Sequence, residues 1–147
     1  MNCRCYIGWW YEIVEEYRMM FVTVDEDRLQ LENLTELLVR TFPGSVIYQY
    51  TDPVYALINT ENREIDVVFA NVSVSRRNDW QLLSLLRRRR PDLRVFVLSD
   101  DEQLREAAME RGAWGYLTRP VTGQKLRDAI EQRKAQCRAQ ILLPSRA

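Results

Sequence analysis

A doubly wound α/β fold, with a five-stranded parallel sheet and helices on both faces, is what this chain of 147 residues predicts. Two observations carry it. Five short runs rich in β-branched and aromatic residues alternate with five stretches of helical hydrophobic spacing. That alternation is the pattern of β–α–β units wound around a parallel sheet. One run, Ile65-Asp66-Val67-Val68-Phe69-Ala70-Asn71, is apolar at consecutive rather than alternate positions beyond its second residue. Such a strand is buried on both faces and belongs at the centre of the sheet.

Taken in order, residues 1–19 form an N-terminal extension in which Trp10, Ile13, Val14 and Tyr17 follow amphipathic helical spacing. This stretch is either a docking helix, for a partner or for the body of the domain, or an extension without fixed structure. The domain itself spans 20–132. Phe21–Val24 is the first strand, and Asp27 with Gln30 has the form of a helix N-cap and its capping-box partner. The helix that follows carries Leu31, Leu34, Leu37 and Leu38 on one side and stops before Pro43-Gly44. Val46–Tyr50 is the second strand. Asp52-Pro53 starts the next helix, with proline in the first helical position where its missing N–H costs nothing, and Val54, Leu57 and Ile58 are expected to face the core. After the central strand, Val72–Asp79 is a polar loop. Trp80, Leu82, Leu83, Leu85 and Leu86 open a third helix that ends in Arg87–Arg90 before Pro91. Val95–Leu98 is the fourth strand, a helix from Glu102 to Arg111 ends at Gly112, and Gly115–Thr118 is the fifth strand. Thr122 caps a last helix with Leu126, Ala129, Ile130 and Cys137 inward, and 133–147 is a helical extension and tail.

The bulk numbers narrow the function. Formal net charge is zero, which gives no global basic field for nucleic acid. Arginines do cluster: seven against two aspartates from Arg76 to Arg94. At a helix C-terminus the four of Arg87–Arg90 read as solvated charges that complement the helix dipole, with a nucleic-acid patch as the alternative. No histidine exists in the chain, so histidine metal ligands and general bases are excluded. Cys3, Cys5 and Cys137 read as reduced thiols rather than a metal or redox set. No apolar run approaches the ~20 residues of a membrane span, and Glu12, Glu15 and Glu16 interrupt any signal peptide. A cytoplasmic protein is expected, with no membrane association.

In open α/β sheets, reactive side chains gather at the carboxyl ends of the strands. Here those ends carry Asp25-Glu26, Asn71, Ser99 and Arg119-Pro120, with Tyr116 inside the fifth strand. In that order the set resembles the receiver domain of response regulators, a CheY-like, flavodoxin-like (βα)5 family, over Met20 to Gln132. The resemblance implies a signalling module of a two-component phosphorelay. It matches Asp25 and Glu26 to the acidic pair that holds Mg²⁺, and Ser73 to the backbone carbonyl that completes the metal site. Ser99 and Tyr116 match the switch residues, Arg119 the family's lysine, and Pro120 a cis-proline. Asn71 stands at the phosphoacceptor aspartate, so the chain reads as a pseudo-receiver. Ser75 and Asp79 also replace the proline and glycine usual after the acceptor.

An amide removes one negative charge from a site that must attract a hard cation, and it removes the attacking oxygen. Mg²⁺ binding is therefore expected to be weak or absent, with no other cofactor and no enzymatic activity. Arg119, a planar fork that cannot deprotonate, is suited to reach Asp25 and Glu26 and occupy the cation site. The leading reading is a non-phosphorylated module acting through protein contacts, with a sensor kinase or another signalling protein, or as a homodimer. The alternatives are phosphorylation on another residue, Asp25 or Ser99, and nucleic-acid binding through the arginines. Because the chain ends soon after Gln140, no output domain is expected. The resemblance implies an interface on the fourth helix, fifth strand and fifth helix, where Arg105, Arg111, Trp114, Lys125 and Arg127 are the candidates. Trp114, between Gly112 and Gly115, is expected to be exposed there as an anchor.

Overall fold

A computed structural model describes residues 18–72 and 77–131. The Trp10 stripe, Ser73, Cys137 and the 133–147 extension lie outside the described residues. Five strands, β1 (Met20–Val24), β2 (Val46–Tyr50), β3 (Val67–Asn71), β4 (Arg94–Ser99) and β5 (Gly115–Thr118), form one sheet. Its order is β2-β1-β3-β4-β5 and every pairing is parallel. The helices between them are α1 (Arg28–Thr41), α2 (Pro53–Glu61), α3 (Arg77–Arg89) and α4 (Arg105–Glu110), the last preceded by a 3-10 turn at Glu102–Leu104. A fifth helix, α5, runs over 123–131 within the described residues.

Local chemistry sets these boundaries. The Asp27 carboxylate accepts from the Leu29 and Gln30 amides at 2.9 and 3.3 Å, satisfying N–H groups that the first turn of α1 leaves without partners. Asp52 does the same for Val54 at 2.8 Å, with Pro53 in the first helical position. Thr122 accepts from the Lys125 amide at 3.2 Å at the head of α5. Gly112, at φ +98°, follows α4 in the left-handed region that glycine tolerates. The Arg87 side chain lies against it, 2.7 Å from where a Cβ would stand.

The sheet separates two cores. On one face Leu34 and Leu38 of α1 and Leu126, Ala129 and Ile130 of α5 pack on Phe21, Val67, Phe69, Phe96 and Leu98. On the other, residues of α2, α3 and α4, among them Leu57, Leu83, Leu86 and Ala108, cover Val22, Val68, Ala70, Val95 and Val97. β3 is the central strand, and Val67, Val68 and Phe69 are fully buried. It begins two residues later than the apolar run, at Val67. Ile65 and Asp66 are buried ahead of it, and Asp66 accepts from the Met20 amide at 2.8 Å, tying β1 to β3 at their start.

One expectation fails on packing. In α2 the buried residues are Ala56, Leu57 and Thr60, while Val54 and Ile58 are 59% and 49% exposed. The helix is turned so that Ala56, Leu57 and Thr60 meet the sheet, and Val54, Tyr55 and Ile58 point to solvent. Arg87, Arg88 and Arg89 at the end of α3 are exposed, as solvated charges would be, and three of the four arginines there also make contacts. Arg90 donates to the Thr60 carbonyl at 2.9 Å and the Arg63 carbonyl at 3.3 Å, and Arg87 donates to the Pro91 carbonyl at 2.9 Å. Arg89 pairs with Glu61. These contacts satisfy carbonyls that helix and turn ends leave open, and they join α2 to α3.

Candidate functional site

The sheet order reverses between β1 and β3, because β2 lies outside β1 and β4 outside β3. The crevice at that switch, at the strands' carboxyl ends, is where such sheets place ligands. Side chains alternate along a strand with period two. Asp25 therefore continues the row of Phe21, and Asn71 the row of Val67 and Phe69, so both emerge on the α1/α5 side of the crevice.

Arg119 closes it from β5. Its backbone amide donates to the Ser99 carbonyl at 3.0 Å, and the Arg119–Pro120 peptide is cis. The guanidinium Nη2 donates to Asn71 Oδ1 at 2.8 Å and to Asp25 Oδ2 at 3.2 Å. Nη1 lies 3.6 Å from an Asp100 carboxylate oxygen. The Asp25 side chain is 4% exposed and that of Arg119 19%. The second oxygen of Asp25 accepts from the Asp27 amide at 2.9 Å. Asp25 is thus held by an amide within its own loop and by a charge from the far side of the sheet. Glu26, the other member of the acidic pair, stands exposed at the rim. Asp100 has no counterpart in the sequence reading. Its only signal was its position directly after Ser99.

Ser99 and Tyr116 belong to the opposite face of the sheet. Ser99 is buried and its Oγ accepts from the Asp101 amide at 3.1 Å. Tyr116 is also buried, and its hydroxyl donates to the Asp101 carbonyl. Burial pushes the Tyr116 phenol up from its ordinary value, and the charges of Asp101 and Glu102 reinforce this, while a hydrogen bond with Ser99 opposes it. Outside the tyrosine, Arg105 pairs with Glu102 and donates to the Tyr116 carbonyl at 3.3 Å. Glu102 also accepts from the Thr118 hydroxyl. The bonds from Arg105 and Thr118 hold the Glu102 carboxyl below the usual carboxylate range. This Glu102–Arg105–Thr118 cluster went unread in the sequence, because its members join α4 to β5 only in the fold.

The remaining candidates are placed as follows. Trp114 is half-buried and packs on the core under α1 and α5, with the Arg94 guanidinium 4.0 Å from its ring centroid. The expectation of an exposed anchor is therefore corrected. The Trp114 amide donates to the Val95 carbonyl at 2.8 Å, which ties the turn to β4. Arg111 lies 4.6 Å over the Trp80 ring. Lys125 donates to the carbonyls of Thr118 and Pro120, both at 2.9 Å, and so braces the loop that carries Arg119. Arg127 is exposed.

Comparison with known proteins agrees with this architecture. The family described as "Response regulator receiver domain" matches residues 21–131. The chain is 27% identical over 122 residues to the "Transcriptional regulatory protein DegU" of Brevibacillus brevis, covering 82% of this chain and 52% of that protein. It is 28% identical over 109 residues to an "Uncharacterized response regulatory protein" of Vibrio cholerae, covering 74% of this chain and 46% of that one. The chain thus spans about half the length of the curated relatives it matches. Among solved structures, a response regulator receiver domain protein from Clostridium thermocellum superposes with a TM-score of 0.71 at 26% identity, covering 83% of this chain and 98% of that one. A CheY-like receiver from Methanospirillum hungatei shares the fold at a TM-score of 0.72 and 16% identity, covering 84% and 99%. With its flavodoxin-like sheet and a family match across nearly all the described residues, this chain belongs to the response regulator receiver domains of two-component systems.

Proposed function

We propose that this receiver does not accept a phosphoryl group at Asn71 and signals by protein–protein contact, with Arg119 holding its acidic crevice in one arrangement. The observation that carries this reading is the Arg119 guanidinium donating to both Asn71 and Asp25. A carboxamide oxygen is neutral and delocalised, so it is a poor nucleophile and cannot form a stable acyl phosphate. Phosphoryl transfer depends on an in-line attacking oxygen and on clamped charge. The first is absent from the end of β3, and the charge is already matched by an internal cation.

The residues do not fit the Mg²⁺ that the family implies. Such an ion needs several hard, preferably anionic oxygens in octahedral array. Here Asn71 offers a neutral oxygen that already accepts from Arg119, and Asp25 faces the same guanidinium. Among the described residues no group of three or more acidic, cysteine or histidine side chains converges on a metal position.

The other acceptors have less support. Asp25 is buried and paired, and Ser99 is buried with its Oγ bonded to the Asp101 amide. Nucleic-acid binding by the α3 arginines is disfavoured by zero net charge and by the contacts that already engage Arg87, Arg89 and Arg90. The contact partners this reading expects are a sensor kinase, another signalling protein, or a second copy of the chain. No helix among the described residues is long and apolar enough to cross a membrane.

Treatment of the full chain with acetyl phosphate and Mg²⁺, followed by intact mass and peptide mapping, tests the reading. The expected result is no phosphate-specific mass shift. A phosphoryl group mapped to Asp25, Asn71 or Ser99 would overturn it.

A further inference from the structure

The two outer edges of the sheet are finished differently. Along a strand the amide and carbonyl of one residue point to one side, and those of the next residue to the other. In β5 the Arg119 amide reaches β4 at the Ser99 carbonyl, so Tyr116 and Thr118 turn their backbone groups outward. Both of those carbonyls are capped. Arg105 donates to that of Tyr116 at 3.3 Å and Lys125 to that of Thr118 at 2.9 Å. Charged side chains of this kind protect an edge from pairing with another strand.

The edge at β2 has no such cover. The Val46 amide donates to the Met19 carbonyl at 2.9 Å, and the Tyr50 carbonyl accepts from the Asp25 amide at 3.1 Å. Val46, Tyr48 and Tyr50 therefore face β1, and Ile47 and Gln49 turn their amides and carbonyls outward. Among the described residues nothing bonds these outward groups. The strand, Val46-Ile47-Tyr48-Gln49-Tyr50, holds no charge, proline or glycine to deter a partner.

We infer that the open edge of β2 pairs, antiparallel, with the β2 edge of a second copy of this chain, about a two-fold axis at Tyr48. Two observations point to that occupant. The first is the register of the outward groups. With Tyr48 on the axis, Ile47 of one copy lies opposite Gln49 of the other, and both turn amide and carbonyl toward the partner, as a hydrogen-bonded antiparallel pair requires. Such a contact uses the same patch on both copies and closes as a dimer. The second is charge. Exposed Glu26, Asp27 and Asp52 lie at the carboxyl ends of β1 and β2, and exposed Arg18 and Arg40 lie near their amino ends. Antiparallel pairing sets the acidic end of each copy against the basic end of the other, and opposite charges at such short range attract. The inference rests on the reading of this domain as a contact module and gives one of its partners a surface. A phosphoryl group on the chain would count against that reading without altering the measurements below, so the two can fail separately.

Sedimentation and residue-resolved amide exchange on the full chain, both followed over about a hundredfold dilution, test this. The parent should self-associate, and the Ile47 and Gln49 amides should be slowed in step with the associated fraction. The Tyr48 and Tyr50 amides, which face β1, should stay protected at every concentration. Gln49→Lys places like charges on neighbouring positions of the paired edges and should weaken association at least about tenfold. Gln49→Pro removes an outward donor without touching the β1 ladder and should act in the same direction. Fast exchange at Ile47 and Gln49 at all concentrations would overturn the proposal. Slowing that survives dilution would also overturn it, by assigning the edge to a segment of the same chain. Association that Gln49→Lys leaves unchanged would do so as well, by placing the contact on another face. Should the proline disturb the fold, the lysine variant decides, since the Gln49 side chain is already exposed.

Discussion

Replacing Arg119 by alanine removes the one side chain that joins Asp25, Asn71 and Asp100. Breaking a fully buried ion pair costs about 3–5 kcal/mol, because the remaining charge is left without compensation. Asp25 comes close to that limit at 4% exposed, but Arg119 is 19% exposed and the crevice opens to water. Asp25 also keeps its bond from the Asp27 amide. The bond to Asn71 is to a neutral, partly exposed oxygen that water can reach, and the contact with exposed Asp100 is worth little. The loss should therefore be about 2 kcal/mol, or a fall in melting temperature of roughly 5–10 °C for a domain of this size. Mg²⁺ should then recover part of it, since the carboxylates are freed for a cation and binding to the native state alone raises stability. At ten times its dissociation constant the metal would return about 1.4 kcal/mol. In the parent chain the same Mg²⁺ should leave the melt almost unchanged. A melting series of parent and Arg119→Ala, with and without millimolar Mg²⁺, reads both effects. Equal metal shifts in the two proteins, or no destabilisation in the variant, would refute the idea that Arg119 holds the cation position.

Three further outcomes follow from the same structure. Asn71→Asp combined with Arg119→Lys should restore Mg²⁺ binding and reactivity toward acetyl phosphate together, measured by tryptophan fluorescence and intact mass, because it returns the carboxylate and exchanges a fixed fork for a displaceable point charge. Trp114→Ala should lower stability by about 2 kcal/mol in denaturant melts, less than a fully buried tryptophan would cost, since the ring is half-buried against the core. Little loss of stability combined with lost self-association would return Trp114 to the interface role. For Tyr116, a folded-state phenol raised above its ordinary value of about 10 makes the native state bind its proton more tightly than the unfolded chain. The associated stability is full below pH 10 and is lost as pH rises through the folded value. Tyr116→Phe should flatten that alkaline decline in pH-dependent melts, at the expense of about 1 kcal/mol at neutral pH for the lost bond to Asp101.

The order of strands and helices along the chain and their caps were legible in the chain itself. Asp27, Asp52-Pro53, Thr122 and Gly112 act within one or two turns of their own position, so local sequence fixes them. The apolar run ending in Asn71 could only be a strand buried on both faces, and a strand's carboxyl end is where an α/β sheet opens its crevice. Tertiary structure decided the rest. The α2 periodicity was satisfied equally by two faces, and only packing against the sheet chose Ala56 and Leu57 over Val54 and Ile58. Trp114 looked free because it lies in a turn between Gly112 and Gly115, yet the fold brings Arg94 and the α1/α5 core to it. Lys125 was named in sequence as an interface candidate, and only the turn before α5 places two carbonyls within its reach. Arg119 lies 94 residues from Asp25 and 48 from Asn71. Sequence could nominate Arg119 for the acidic pair by its chemistry. The division of its donors among Asp25, Asn71 and Asp100 depends on how three strand ends converge, a distance that no local pattern encodes.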